Sequence, residues 1–354
     1  MTTVQILAVH HKVLTKAAQF VVKGSRLAQA PLLSRNTLSM DEVTWHPLSV
    51  DLEWGKLSGK ICVVGNTDYM NGLRILSVHG WLDNANSFDT LAPYLPKGTE
   101  LLVLDLPGHG LSDHLPLGAH YDIFSYVLHL KRAVDKCGWD KFILLGHSMG
   151  AGISDIFTSL FPEHVTALIN LDYVQPAFTA IESLTKSISR LFKGEQLKKQ
   201  KPLVYTEEQA IERLISARTN LGEVSATIDR DAAYILLPRS ARQVEGGYVW
   251  THDPRARATF QVLFGDSWHK HISSIKCPVL IVAANQGIFT DARLDLYKST
   301  LDVYRSNAKW CDVVMVDGSH HVHLTHPERV AAPLVTFLNR VMTEIPTAPL
   351  QARL

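Results

Sequence analysis

Six short, unbroken apolar runs constrain this fold more than any other feature of the chain. They occupy residues 74–78, 100–104, 141–145, 167–171, 279–283 and 311–316, with charge only near their margins. A strand with one wet face alternates polar and apolar residues, whereas an unbroken run must be buried on both faces, as in a parallel sheet. Between these runs, residues 88–95, 123–137, 151–161, 294–304 and 327–342 carry apolar side chains at three- and four-residue spacing, the helical period. Alternation of the two patterns predicts an α/β fold: a mostly parallel central sheet with helices on both faces. Ahead of it, residues 47–56 and 59–65 alternate polar and apolar and join at glycine, which predicts an antiparallel hairpin.

Between residues 176 and 266 the alternation stops. Helical patterns at 207–219 and 227–237 are preceded by a basic stretch around Lys193 to Lys201, expected to be flexible. Ligands of open α/β sheets bind at the carboxyl ends of the strands, so an insertion there is expected to form an inserted helical cap over a site. The division is therefore an N-terminal extension at 1–44, a core at 45–175 and 267–342, a helical cap at 176–266 and a C-terminal tail at 343–354.

The charge balance, 35 basic against 34 acidic residues, offers no footprint for nucleic acid. Cys62, Cys137, Cys277 and Cys311 show no C-x-x-C spacing and sit in or beside apolar segments, which points to reduced thiols in an intracellular compartment. No apolar run reaches the ~20 residues of a membrane span. The ends point to different places. Lys12, Lys16, Lys23, Arg26 and Arg35 precede the first acid, Asp41, a composition that suits a mitochondrial leader or a plain extension. Ala352-Arg353-Leu354 is similar to a peroxisomal address, so localisation is open among cytoplasm, peroxisome and mitochondrion.

The run ending at Leu145 continues as Gly146-His147-Ser148-Met149-Gly150 and passes into Ala151-Gly152 and a helical pattern. This is G-x-S-x-G, in which a serine is held on a sharp strand-to-helix turn that needs nearly side-chain-free neighbours two positions away. A serine hydroxyl is a poor nucleophile until a histidine takes its proton, and that histidine needs a carboxylate to fix its tautomer. After the last apolar run come His320, His321, His323 and His326, just before the helix-opening Pro327-Glu328. Four histidines also raise a metal site, but no H-E-x-x-H is present and adjacent rings do not aim at one point, so no metal and no cofactor are expected.

Asp105-Leu106-Pro107-Gly108-His109-Gly110-Leu111-Ser112 resembles the D-x-P-G-x-G-x-S turn of the α/β-hydrolase superfamily. His-Gly-Trp-Leu-Asp-Asn-Ala-Asn-Ser-Phe, from His79 to Phe88, is similar more narrowly to the serine hydrolase-like proteins, and the resemblance runs over about residues 45–342. It implies an oxyanion hole from the Trp81 and Met149 amides after the His79-Gly80 turn. It also selects His320, which precedes Pro327 by seven residues, as the base.

The acid departs from the common pattern. The superfamily's usual position falls on Gly287, leaving Asp291 and Asp172 as replacements; Asp172-Tyr173-Val174-Gln175-Pro176 resembles an E-F-I-R-P segment of some haloalkane dehalogenases, which favours Asp172. Arg255 is expected to pair with a carboxylate across the base of the cap. The resulting expectation is a serine hydrolase of small ester-type substrates with an apolar acyl part, using Ser148, His320 and Asp172, with carbon–carbon bond hydrolysis open to the same residues. The other class is a binding or regulatory protein whose catalysis has lapsed, for which Gly287 is the support.

Overall fold

The computed structural model describes residues 43–65, 72–176, 181–219, 226–258, 265–288 and 294–345. Both chain ends, and with them the two targeting expectations, lie outside the described residues, as does Asp291.

An antiparallel hairpin, β1 (His46–Leu52) and β2 (Gly55–Val63), leads into β3 (Arg74–Val78) and β4 (Glu100–Leu104). Then come α1 (Ile123–Lys136), β5 (Phe142–His147), α2 (Met149–Leu160) and β6 (Val165–Leu171). After β6 follow α3 (Ile181–Lys198), α4 (Glu207–Thr219), α5 (Arg230–Ser240), the small hairpin β7 (Ala241–Val244) and β8 (Gly247–Trp250), and α6 (Gly265–Ser273). The chain closes with β9 (Val279–Ala284), α7 (Leu294–Asn307), β10 (Cys311–Val316), the short α8 (Val322–Thr325) and α9 (Pro327–Glu344).

Eight strands form one sheet in the order β1-β2-β4-β3-β5-β6-β9-β10, parallel from β4 onward. Successive residues of a strand face opposite sides, and here both sides are buried. Leu76, Val78, Leu102, Leu104 and Leu144 join a core with α1, α2 and α7, while Ile75, Leu101, Val103, Ile143 and Leu145 join one with α9. The unbroken apolar runs follow from this two-sided burial. Ala210, Ile211, Leu214, Ala233 and Leu236, from the segment between β6 and β9, form a third apolar cluster that also takes in Leu324 of α8.

Three local expectations need correction. Residues 88–95 are not an α-helix but two 3-10 turns, Ala85–Phe88 and Ala92–Tyr94: Asn84 turns its side chain onto the Asn86 amide, and Pro93 lies inside the second turn. The basic stretch at 193–201 is helical through Lys198, because Gly194 lets α3 pack closely on the Pro254–Ala258 turn and Lys198 reaches Asp253 at 2.7 Å. The helix expected at 227–237 starts instead at Arg230, where Asp229 accepts the Ala232 amide at 2.8 Å. Arg255 does bind a carboxylate, but that of Asp253 two residues back; its longer reach goes to the carbonyls of Leu115, Pro116 and Ala119.

Candidate active site

Strand β5 delivers Ser148 at the carboxyl edge of the sheet. Its φ of 53° and ψ of −119° are a strained combination for a side-chain-bearing residue, held because the Ser148 amide donates to Leu171 O at 3.1 Å and α2 begins at the next residue. The glycines answer to space. A β-carbon on Gly150 would collide with Val78 O, and one on Gly146 with the Ala151 main chain. Asp172 directly follows β6, also at positive φ (47°), and Leu82 in the His79 loop (56°) is the only other described non-glycine residue there.

The structure brings Ser148, His320 and Asp172 into one line. His320 Nε2 lies 2.8 Å from Ser148 Oγ, and its Nδ1 lies 2.5 Å from Asp172 Oδ2. A carboxylate only accepts, so Nδ1 carries the proton and Nε2 presents a lone pair to the hydroxyl. Asp172 is itself fixed by two amides, Ala284 N at 2.9 Å and Ile288 N at 3.0 Å. These two bonds aim the carboxylate at the ring.

Opposite Ser148 is the His79 turn. His79 Nε2 accepts the Leu106 amide at 3.0 Å while Nδ1 donates to Gly80 O at 2.8 Å, which clamps this turn to the loop after β4. Asp105 tightens that second loop by accepting the Ala85 and Leu111 amides, each at 2.7 Å. The close approach of Gly150 to Val78 O and His79 O sets the first turn of α2 against the end of β3, bringing the segments that carry Trp81 and Met149 side by side. The Met149 amide is among the first N–H groups of α2, which a helix cannot pair internally. Trp81 spans outward, its indole N–H bonded to Ala256 O at 3.1 Å.

Of the other histidines, His323 Nε2 lies 2.9 Å from Ser87 Oγ, His326 precedes α9 without a side-chain capping bond, and His321 is buried behind His320. Sequence reasoning passed over the cluster around His321. Arg218 Nη2 lies 2.5 Å from Asp83 Oδ1, and His321 Nε2 lies 3.3 Å and His147 Nδ1 3.7 Å from Asp83 Oδ2. Burial works against the charged form of Asp83, but the Arg218 guanidinium holds the carboxyl well below the usual range. Burial also pushes His321 down to about 4, against the pull of Asp83, and lowers His147. The only signal for this cluster was that Asp83 and His147 fall inside the His79 and Ser148 motifs.

The sequence pattern of the alpha/beta hydrolase fold matches residues 74–327. The chain is 34% identical over 299 residues to a serine hydrolase-like protein of Danio rerio, covering 80% of this chain and 86% of that one. It is 30% identical to serine hydrolase-like protein 2 of Homo sapiens, over 82% and 93% of the two chains. A solved structure of a hypothetical protein from Pseudomonas aeruginosa superimposes with a TM-score of 0.67 at 28% identity, over 83% of this chain and 99% of that one. No described helix is long and apolar enough to cross a membrane.

Proposed function

The chain belongs to the alpha/beta hydrolase fold family, and from that premise we propose that it is a serine hydrolase cleaving small ester-type carbonyl substrates through an acyl-enzyme. Ser148 Oγ attacks the carbonyl carbon as His320 Nε2 takes its proton. Asp172 holds the ring and stabilises the imidazolium. Negative charge growing on the carbonyl oxygen is met by the Trp81 and Met149 amides. His320 then gives its proton to the leaving alcohol and takes another from water. The resulting hydroxide attacks the acyl carbon, His320 returns its proton to Ser148 Oγ as that oxygen leaves, and the carboxylic acid is released. The segment at 176–266 would act as the cap over this site. None of these steps calls for a cofactor.

The observation that carries this reading is the unbroken line Asp172–His320–Ser148, with contacts of 2.5 and 2.8 Å. The alternative of lapsed catalysis rests on the glycine at position 287, and the Asp172 carboxylate beside His320 speaks for catalysis instead. A fluorophosphonate probe is expected to label the wild type and not Ser148→Ala, and nitrophenyl esters of graded acyl length to be turned over only by the former. Labelling that persists in a folded Ser148→Ala protein overturns the assignment.

A further inference from the structure

Behind His320, on the side away from Ser148, three buried ligand atoms converge. His147 Nε2 faces His320 O at 2.9 Å, and His321 Nδ1 faces Ala226 O at 3.0 Å. A carbonyl can only accept, so these two nitrogens carry the N–H groups. In the neutral rings the opposite nitrogens, His147 Nδ1 and His321 Nε2, are therefore lone pairs. Both are turned toward Asp83 Oδ2, at 3.7 and 3.3 Å, and the three atoms lie within 4.8 Å of one another. Asp83, His147 and His321 are each less than 5% exposed, and neither Asp83 Oδ2 nor His147 Nδ1 has a hydrogen-bond partner. Three acceptors facing one another out of water repel unless a cation sits among them. Residue 80 leaves the room: a β-carbon there would stand 2.8 Å from His147 Nδ1 and 3.3 Å from Asp83 Oδ2.

We propose that Asp83, His147 and His321 bind one divalent transition-metal ion of the zinc class. Zinc bonds of ~2.0–2.2 Å in tetrahedral geometry separate neighbouring ligand atoms by ~3.3 Å. The Asp83–His321 pair already stands at that separation, and the Asp83–His147 pair is a few tenths of an ångström wider. Each imidazole donates its second N–H to a main-chain carbonyl, the outer bond that orients metal-binding histidines. Two imidazoles and one carboxylate suit zinc rather than magnesium or calcium, which take oxygen donors. Arg218 occupies Oδ1, so the carboxylate offers a single oxygen. Its positive charge also holds the affinity below that of a site without a resident cation. The His147 ring lies 4.7 Å from that of His320 and bonds its carbonyl, so an occupied site stiffens the main chain that carries His320. This site does not depend on Ser148 acting as a nucleophile.

The test uses the full chain without a histidine tag, stripped with chelator. Dialysis against micromolar Zn2+ is expected to leave one equivalent bound in the wild type and in Ser148→Ala, with at least tenfold weaker binding in His321→Gln. Zn2+ should raise the thermal midpoint of the first two proteins only. Co2+ should give the strong visible absorption of a four-coordinate ion, a wild-type reading that decides the matter even if His321→Gln does not fold. The proposal is overturned by no stoichiometric binding at 100-fold excess of Zn2+ over protein, by equal binding in a folded His321→Gln, or by imidazole 15N shifts showing His321 cationic at pH 7 and unmoved by Zn2+.

Discussion

A β-carbon on Gly287 would fall inside the van der Waals envelope of the Asp172 carboxylate. The two positions therefore exclude one another: position 287 after β9 is a glycine, and the carboxylate beside His320 is that of Asp172, just past the end of β6. Gly287 is not at positive φ, so it serves space rather than backbone freedom. Asp172→Asn is expected to lower kcat/KM on a nitrophenyl ester by ~10^3–10^4-fold, since the amide no longer fixes the imidazole tautomer. Gly287→Ala should cost activity by displacing the carboxylate. Gly287→Asp should be inactive alone and regain turnover when combined with Asp172→Gly. Full activity in Asp172→Asn would remove that residue from the mechanism.

What the sequence made legible follows from which signals are local. The parallel strands inside the sheet declared themselves because burial on both faces erases alternation, and the turn at Ser148 because its glycines are sterically required. The 3-10 turns around Phe88 were misread since residues three apart satisfy either helix type. Lys193 to Lys201 looked flexible because what fixes it, Asp253 and the Arg255 turn, lies more than fifty residues away. Asp83, His147, Arg218 and His321 come from four distant segments, and no spacing rule joins them.

Arg239 binds Asp105 through two nitrogens, Nε at 3.0 Å and Nη2 at 2.7 Å, and so fastens α5 to the loop after β4. The Asp105 carboxylate is fully buried. Arg239→Met should strip it of its directly bonded cation and cost ~3–5 kcal/mol in urea unfolding, because a buried charge that loses its ion-pair partner is strongly destabilising. Arg239→Lys, which keeps the charge but not the fork, should fall between. An unchanged urea midpoint for Arg239→Met would show that the pair does not hold these elements together.

Gly150 and Gly246 should respond to alanine by different mechanisms. At Gly150 the obstacle is the Val78 carbonyl, a backbone atom of a central strand that cannot yield, so Gly150→Ala should fail to give folded protein or lose several kcal/mol. A β-carbon on Gly246 would meet no non-neighbouring atom within 4 Å, but φ is +84°, so the cost is confined to left-handed strain of ~1 kcal/mol. Thermal unfolding of the two variants would separate steric from conformational demand, and equal effects would contradict the packing at β3.

Asp155 sets the alkaline side of the stability profile. It is fully buried, Asn170 Nδ2 donates to its Oδ1 at 2.9 Å, its other oxygen has no hydrogen-bond partner, and burial pushes the carboxyl from 3.8 up to about 8. Between those values the folded chain holds a proton that the unfolded chain has released. This contribution is therefore complete below pH 3.8, declines by up to ~1.4 kcal/mol per pH unit as pH rises, and is exhausted past about 8. The acid side has the opposite origin. Burial lowers His129 and His321 from 6.5 to about 4, so below pH 6.5 the unfolded chain takes up protons that the folded chain refuses, and stability falls with pH. Asp155→Asn, neutral throughout, should keep the acid limb and flatten the alkaline one, so that its stability relative to wild type grows from pH 5 to 8. Urea midpoints across that range measure the effect, and parallel profiles for the two proteins would mean that Asp155 is ionised in the fold.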